Sequence, residues 1–221
     1  MFNEYQKIKT LFKLIPLDEK AKKWSATSGE ILPETAALHY YPLEELIFTE
    51  KIDGTNMGIR VDNKTLIHIQ KRNNICDIGN GDKYYLELGN QLIDNILKVD
   101  MPIEKYIIYG ELCGVKVQSG GNYFNERRFL IFDIFDLENN KYFTWDALNH
   151  FAIEMGLEVV PKIQYTKDNL QVKNVKDFIM NLKSYYNENF NAEGFVVRHS
   201  KDTHPDRRWI AKIRRKDFKI K

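Results

Sequence analysis

The sequence predicts a mixed α+β fold with largely antiparallel sheets. Segments rich in β-branched and aromatic residues recur along the chain, and only a few segments with helical periodicity interrupt them. A succession of strands with a few helices is typical of α+β domains. The predicted strands cover 46–51, 57–61, 65–70, 106–112, 129–135, 194–198 and 209–214.

The connections and helices follow from turn and capping signals. Asp62-Asn63-Lys64 separates the second and third strands and predicts a hairpin between them. Three helices are predicted, over 84–99, from Thr144 to Gly156, and over about 174–186. In the first, leucine and isoleucine recur every four residues, which gives one apolar face. In the second, Thr144 suits the N-cap and Gly156 the C-terminal stop.

The composition indicates one folded domain. Of 221 residues, 43% are hydrophobic, which is enough for a core and excludes disordered and fibrous classes. No linker-like stretch divides the chain, so we expect a single domain over 1–221. Two cysteines cannot form a disulfide framework, which indicates a reducing compartment. Lysines interrupt the apolar stretches near the N-terminus, so this segment is neither a signal peptide nor a membrane span. We therefore expect a cytoplasmic protein without a membrane span, and a viral or phage origin is compatible with this. Separately, we expect a monomer.

Positive charge is concentrated at one end of the chain. The net charge is only +2, but the segment 207–221 holds eight Lys or Arg residues and one acidic residue, Asp217. The remainder therefore carries a net charge of −5. Such a basic segment on an acidic body indicates an element that binds anions.

Six short motifs occur in a fixed order, and their joint occurrence carries more weight than any one of them. The first is EKIDGTN, which places Lys51 at the end of a predicted strand and Gly54 at a tight turn. The others are QKRN (70–73), YGELCG (109–114), FLIFDIF (129–135), AEGFVVR (192–198) and WIAKIRRKDF (209–218).

This ordered set resembles the covalent nucleotidyltransferase superfamily, which comprises ATP-dependent RNA and DNA ligases and mRNA capping enzymes. The forms of the first, fourth and last motifs are most similar to those of the RNA ligase 2 family. The resemblance implies an ATP-grasp-like nucleotidyltransferase domain, with largely antiparallel sheets and flanking helices around a nucleotide groove. Family ligases carry a second domain after the last motif. Only three residues follow Phe218 here, so no separate C-terminal domain is expected, and the sequence is either a single-domain ligase or an engineered catalytic fragment.

Lys51 is the expected nucleophile. Attack on the α-phosphate of ATP requires a neutral amine, whereas free lysine is protonated near neutral pH. Nearby cations and desolvation favour the neutral amine, so Lys212, Arg214 and a bound metal ion are the candidates for promoting it. The alternative for Lys212 and Arg214 is that they belong to a basic strand that is exposed to solvent and has no catalytic role.

Carboxylates and ring systems complete the expected site. Phosphoryl transfer needs carboxylates that hold Mg²⁺, and Glu111 and Glu193 lie in glycine-flanked motifs suited to this, although a surface glutamate is the alternative. The resemblance implies that Glu111 contacts the ribose and that Glu193 organises the metal and the lysine. It further implies nucleotide contacts from Glu50, Ile52, Asn56, Arg72 and Phe132. The alternative to a nucleotide contact is core packing for Phe132 and an ordinary exposed position for Arg72.

Two positions depart from the phage prototype of the family. Asp53 replaces a histidine, but aspartate is usual in the wider superfamily. Arg214 replaces a lysine, which keeps the charge but exchanges a compact ammonium for a planar fork.

The sequence thus predicts an ATP-dependent RNA ligase that uses ATP and Mg²⁺ and forms a lysyl-AMP intermediate. Its RNA substrate could be a nicked duplex or an RNA/DNA hybrid. The alternatives are a DNA ligase, an mRNA-capping guanylyltransferase and a catalytically silent RNA-binding subunit. The intact Lys51-Ile52-Asp53-Gly54 motif argues against the last of these.

Overall fold

A computed structural model describes residues 2–16, 25–118 and 123–218. The described residues form two compact units. Unit 1 contains 2–6, 53–118, 123–160 and 201–208, and unit 2 contains 7–16, 25–52, 161–200 and 209–218. The expectation of a single domain over 1–221 stays a prediction, as does the role of the last two basic residues, Lys219 and Lys221, which lie outside the described part. In that part of the chain, no helix is long and apolar enough to cross a membrane.

The α+β prediction is confirmed. The predicted strands and helices occur in the order expected, and the described residues contain four further strands that were not predicted. The strands are β1 (Phe12–Pro16), β2 (Ser25–Ile31), β3 (Leu46–Lys51), β4 (Thr55–Asp62), β5 (Thr65–Lys71), β6 (Lys105–Gly114), β7 (Arg127–Asp136), β8 (Lys141–Tyr142), β9 (Glu158–Val159), β10 (Gly194–His199) and β11 (Ile210–Arg214). The helices are α1 (Lys83–Lys98), α2 (Trp145–Glu154) and α3 (Val172–Asn181).

Unit 1 is built on a sheet of six strands in the order β5-β4-β6-β7-β8, with β9 added parallel to β7. The other pairs are antiparallel, and β4 and β5 form the predicted hairpin. Asn63 and Lys64 adopt left-handed backbone conformations, with φ of 49° and 54°, as tight hairpin turns require. Helix α1 packs so closely on this sheet that a Cβ on Gly89 would lie 2.3 Å from the Cδ1 atom of Ile69.

Unit 2 contains a three-stranded antiparallel sheet in the order β11-β10-β3, and a separate pair, β1 and β2. Alternate residues of the three strands, among them Phe48, Phe195 and Ile213, are buried together with Val175 and Ile179 of α3. The residues between them, including Lys51, Lys212 and Arg214, point to the opposite face because side chains alternate along a strand. The core of unit 2 therefore fixes the face that carries the basic side chains.

The predicted helix ends were right for α2 and wrong for α3. The Thr144 side chain accepts a hydrogen bond from the Ala147 N–H at 3.3 Å, which confirms the N-cap. The third helix ends at Asn181, five residues before the predicted end. It ends there because Leu182 is extended and its carbonyl accepts a hydrogen bond from the Ala192 N–H at 3.2 Å.

Candidate active site

Lys51, Gly194 and Arg214 form one row across the three-stranded sheet of unit 2. Gly194 is the register partner of Lys51 on β3 and of Arg214 on β11. A Cβ at Gly194 would lie 1.9 Å from the Ile213 carbonyl oxygen, so only glycine fits there. Directly paired residues point to the same face of a sheet, so Lys51 and Arg214 project to the same side, on the two strands that flank the glycine.

Glu193 holds the amine of Lys51. The Lys51 Nζ atom donates a charge-assisted hydrogen bond to Glu193 Oε2. The backbone of Glu193 is fixed in turn, because its carbonyl accepts a hydrogen bond from the Arg215 N–H at 2.8 Å. The two paired side chains are 24% and 20% exposed, so the amine is oriented by protein and still reachable from solvent.

Arg214 is held by a carboxylate of its own. Its guanidinium Nη2 lies 2.7 Å from Asp217 Oδ1, and its backbone N–H donates to Asp217 Oδ2 at 3.0 Å. Lys212, two residues earlier on β11, projects to the same face and is half-buried. Both cations therefore share the face of Lys51, as the sequence suggested. Their expected effect on the protonation of Lys51 stays a prediction.

Glu50 lies on the other face of β3, among the buried residues of unit 2. Only 1% of the residue is exposed, and its Oε2 atom accepts a hydrogen bond from the Tyr185 N–H at 2.8 Å. Burial raises the pKa of the Glu50 carboxyl, and hydrogen bonds from the Tyr185 N–H and the Ser184 side chain partly oppose that shift. Among the described residues, nothing donates a hydrogen bond to the buried Oε1 atom. Ile52, just beyond Lys51, is also buried.

The rest of the lysine motif belongs to unit 1, where it lies tightly against β6. A Cβ on Gly54 would lie 2.4 Å from the Leu112 carbonyl oxygen and 2.8 Å from Glu111 Cγ. The Asp53 N–H donates to the Tyr123 hydroxyl at 3.2 Å. The glycine therefore serves a close approach of two backbone segments, which explains why the motif needs it.

Asn56 and Glu111 are direct partners across β4 and β6. Asn56 is buried, and its Oδ1 atom has no hydrogen-bond partner in the described part of the chain. An amide oxygen beside a carboxylate is a donor set suited to a hard cation such as Mg²⁺. Across residues 2–16, 25–118 and 123–218, no group of three or more His, Cys, Asp or Glu residues could hold a metal. Mg²⁺ often completes such a partial protein site with water and substrate phosphates.

Phe132 is the extra residue of a β-bulge. On β6, Tyr109 pairs with Asp133 and the next residue, Gly110, pairs with Ile131. Phe132 lies between those two partners and is half-buried, whereas its strand neighbours are buried. Bulges re-aim side chains and are frequent beside active sites. The apolar strand is thus mainly core, as its composition indicated, but Phe132 itself is placed differently from the residues around it.

A buried ion-pair cluster beside Phe132 was not predicted from the sequence. Arg208 makes two hydrogen bonds to Asp133, at 2.9 and 3.0 Å, and one to Asp202 at 3.1 Å. The Tyr5 hydroxyl donates to the same Asp133 at 2.5 Å, and the Tyr5 ring centre lies 5.0 Å from that of Phe132. Burial alone lowers the pKa of Arg208, but the Asp133 carboxylate raises it well above the usual value.

Arg72 lies in the bend that follows β5, and its side chain is exposed. The preceding residue, Lys71, pairs with Met57 of β4 and forms an ion pair with Asp82 at 2.6 Å. Arg72 is therefore at the end of the sheet where Asn56 lies.

The ten predicted site residues are divided between the two units. Unit 2 holds Glu50, Lys51, Ile52, Glu193, Lys212 and Arg214, and unit 1 holds Asn56, Arg72, Glu111 and Phe132. Within each unit, the structure brings together the residues of different motifs: Lys51 with Glu193, and Asn56 with Glu111. Their contacts with nucleotide and metal stay predictions.

Comparisons with known proteins bear on the family and the fold. A family model for RNA ligase matches residues 44–214, and no curated protein matches the chain. A lysine-to-alanine variant of the Naegleria gruberi RNA ligase, solved with ATP and Mn, is similar with a TM-score of 0.68 and 14% identity, over 93% of this chain and 59% of that one. The same ligase with pyrophosphate gives a TM-score of 0.67 and 17% identity, over 95% and 61%.

A lysine-to-methionine variant with AMP and Mn gives a TM-score of 0.66 and 15% identity, over 93% of this chain and 59% of that one. These identities are low, so the likeness shows the fold. The chain spans 59% to 61% of the length of these structures. Because the RNA ligase family model covers most of the chain, from before β3 to the end of β11, the chain belongs to the RNA ligase family, within the covalent nucleotidyltransferase superfamily.

Proposed function

We propose that this protein is an ATP-dependent RNA ligase in which Lys51 carries AMP between two substrates. The observation that carries the proposal is the pairing of Lys51 with Glu193 beside the row that contains Gly194 and Arg214. The Lys51 amine is oriented, and Arg214 offers a second positive charge on the same face of the sheet, with Gly194 on the strand between them. This arrangement suits attack on a phosphate. Family membership supports the same chemistry.

The proposed reaction has three steps. First, the neutral Lys51 amine attacks the α-phosphate of ATP; a P–N bond forms, the bond to pyrophosphate breaks, and the amine loses a proton. Next, the 5′-phosphate of an RNA displaces Lys51 and takes the AMP. Finally, an RNA 3′-hydroxyl attacks that 5′-phosphate, releases AMP and joins the strands. Glu193 orients the attacking atom, and Lys212 and Arg214 offer positive charge to the phosphates.

Glu50 supports ATP over GTP as the nucleotide. Its buried Oε1 atom lacks a donor within the described residues. An ionised carboxylate only accepts hydrogen bonds, so this atom suits the 6-amino group of adenine and not the 6-oxo group of guanine. Stacking of the base on Phe132 fits the half-buried position of that ring at its bulge. Two of the Naegleria gruberi structures named above contain ATP or AMP.

A divalent ion fits residues in each unit. In unit 1, the Glu111 carboxylate and the Asn56 amide oxygen are hard oxygen donors, and in unit 2 the Glu193 carboxylate is another. We propose that these groups bind Mg²⁺ directly or through water. The ion would neutralise charge on the phosphates of ATP. The Naegleria gruberi structures with ATP and AMP contain Mn. We also propose that the protein works as a monomer inside cells, where ATP is available.

Labelling tests the nucleotide. Wild-type protein and the Lys51→Ala variant are incubated with Mg²⁺ and ATP or GTP labelled at the α-phosphate. We expect covalent label only on the wild type and only from ATP. Label from GTP would favour the capping guanylyltransferase, and wild-type protein without label would favour the silent RNA-binding subunit.

Sealing assays test the nucleic acid. The protein is given nicked duplexes that differ only in whether the 3′-hydroxyl strand is RNA or DNA. We expect faster sealing with the RNA strand, whereas faster sealing of the DNA strand would favour the DNA ligase. A nicked RNA/DNA hybrid and a single-stranded RNA in the same assay identify the preferred substrate.

A further inference from the structure

Unit 2 contains an open groove of about 560 Å³ to which the proposed reaction assigns no role. The residues 162–167 form one wall, and α3 with the segment 181–185 forms the other. We call it the lysine groove, because Lys162, Lys167 and Lys183 line it.

The lysine groove carries unbalanced positive charge. Asp177 is the acidic residue among its lining residues, against the three lysines. Within the described residues, none of the three lysines forms an ion pair. Lys162 and Lys183 are exposed, so their ammonium groups are available to an anionic ligand. A groove with this surplus favours a ligand that carries several negative charges.

The groove also presents an exposed aromatic ring. Tyr185 lines the groove and is 71% exposed, which is unusual for a large aromatic residue. Phe178 lines the same groove and packs edge-on against Tyr165, with ring centres 4.7 Å apart, and Tyr165 stacks on Phe48 at 4.6 Å. Exposed aromatic rings among cations are typical of surfaces that bind single-stranded nucleic acid, because bases stack on the rings while lysines contact the phosphates.

Hydrogen bonds join both walls of the groove to the segments that carry Lys51 and Glu193. On one wall, the Pro161 carbonyl accepts from the Glu50 N–H at 2.9 Å. On the other wall, the Tyr185 N–H donates to the Glu50 carboxylate, and the Leu182 carbonyl accepts from the Ala192 N–H. The groove therefore adjoins Glu50 and Ala192, which directly precede Lys51 and Glu193 in the sequence.

We propose that the lysine groove binds the phosphate backbone of a single-stranded segment of the RNA substrate, with Tyr185 stacked on a base. This inference rests on the proposed function, since an RNA ligase must hold a strand beside its nucleophile. Charge complementarity argues for a polyanion, and the exposed ring argues for one that carries bases. An acidic peptide matches the charge but leaves the ring without a role.

Fluorescence anisotropy with a 5′-phosphorylated single-stranded RNA at several salt concentrations tests the proposal. The Lys162→Gln/Lys183→Gln variant loses two charges from the groove. Lys98→Gln/Lys141→Gln is the matched control, because both residues are exposed and lie in unit 1. We expect the groove variant to bind RNA about 10-fold or more weakly near 0.1 M salt, with a log–log salt slope smaller by about 1.4, and the control to bind as wild type.

A second variant tests the ring without changing the charge. Tyr185→Leu keeps the backbone N–H that donates to Glu50. We expect it to weaken RNA binding about 5-fold or more, since stacking on an aromatic side chain is lost, with the salt slope unchanged. Circular dichroism spectra that match wild type establish that both variants are folded.

The outcomes separate this inference from the proposed function. Wild-type affinity and salt slope in the groove variant would overturn the inference and leave the ligase proposal intact. Two results together would assign the groove to an acidic protein. They are that polyglutamate competes with RNA at equal charge concentration, and that the Tyr185→Leu variant binds RNA as tightly as the wild type does. Wild-type protein that forms no covalent adduct with ATP would instead count against the proposed function.

Discussion

Lys51 and Arg214 lie in one row of the three-stranded sheet of unit 2, each directly opposite Gly194. The glycine lets β10 and β11 approach so closely that even one added carbon would meet the Ile213 carbonyl oxygen. The neighbouring Glu193 holds the Lys51 amine. Sheet register thus brings three sequence motifs together at the proposed nucleophile.

Gly194→Ala should destabilise the protein and reduce formation of the AMP adduct. A Cβ at 1.9 Å from a backbone oxygen requires β11 to move, so we expect a loss of about 3 kcal/mol in the free energy of unfolding. Urea denaturation measures this loss. Gly81→Ala is the control: it has nothing within 4 Å and should cost only about 1 kcal/mol, from its φ of +76°. Equal losses of the free energy of unfolding in the two variants would contradict the close approach of β10 and β11 at Gly194.

Glu50→Gln should change how stability depends on pH. Burial raises the pKa of the Glu50 carboxyl in the folded protein, so the folded state binds this proton more tightly than the unfolded state does. The free energy of unfolding contributed by this group therefore falls as pH rises from the unfolded pKa through the folded one. Gln cannot ionise, so the stability of the variant relative to wild type should increase from about pH 4 to about pH 7. Urea denaturation at both values measures it, and a difference that is constant or decreases would contradict a buried carboxyl with a raised pKa.

Phe132→Ala should weaken ATP binding more than it weakens the fold. Stacking of a base on an aromatic ring is worth about 1–3 kcal/mol, so the KM for ATP in adduct formation should rise about 5- to 150-fold. Phe135→Leu is the control, since Phe135 is buried on the same strand; it should lose stability while the KM stays near the wild-type value. A KM unchanged by Phe132→Ala would show that this ring is only a packing residue.

Asp133→Asn should be strongly destabilising, because it removes the carboxylate that accepts two hydrogen bonds from the buried Arg208 guanidinium and leaves that guanidinium the bond to the Asp202 carboxylate. Breaking a buried pair in this way typically costs about 3–5 kcal/mol. Asp94→Asn, at an exposed position on α1, should change the free energy of unfolding by less than about 0.5 kcal/mol. Similar values for the two variants, measured by urea denaturation, would argue against a stabilising role for the Asp133–Arg208 pair.

Local sequence predicted the strands that carry the motifs better than it predicted their relationships. The strand with Lys51 was predicted with the observed ends, Leu46–Lys51, because its β-branched and aromatic residues are typical of a half-buried strand. In contrast, β2 was missed, since its sequence SATSGEI is mostly polar and small. The end of α3 was missed because a tertiary pairing of Leu182 ends it.

Pairing between distant segments decides the rest of the site. The bulge at Phe132 exists only relative to β6, so the apolar run on β7 could not reveal it. Arg208 and Tyr5 are 203 positions apart, and no local pattern connects them. The side of β3 on which Glu50 lies follows from the alternation of side chains along the strand. Which of its two carboxylate oxygens accepts a hydrogen bond depends on the position of Tyr185, which is distant in the sequence.

Intact-mass measurement after incubation with ATP and Mg²⁺ tests the central claim, that Lys51 is the nucleophile. Lys51→Arg is the sharpest comparison, because arginine keeps the positive charge beside Glu193 but stays protonated and does not attack. The samples are first treated with pyrophosphate to remove any AMP already bound. We predict that the wild type gains the mass of one AMP, located at residue 51 by peptide mapping, and that the variant gains none. An unchanged wild-type mass, or an AMP adduct on the variant, would contradict the claim.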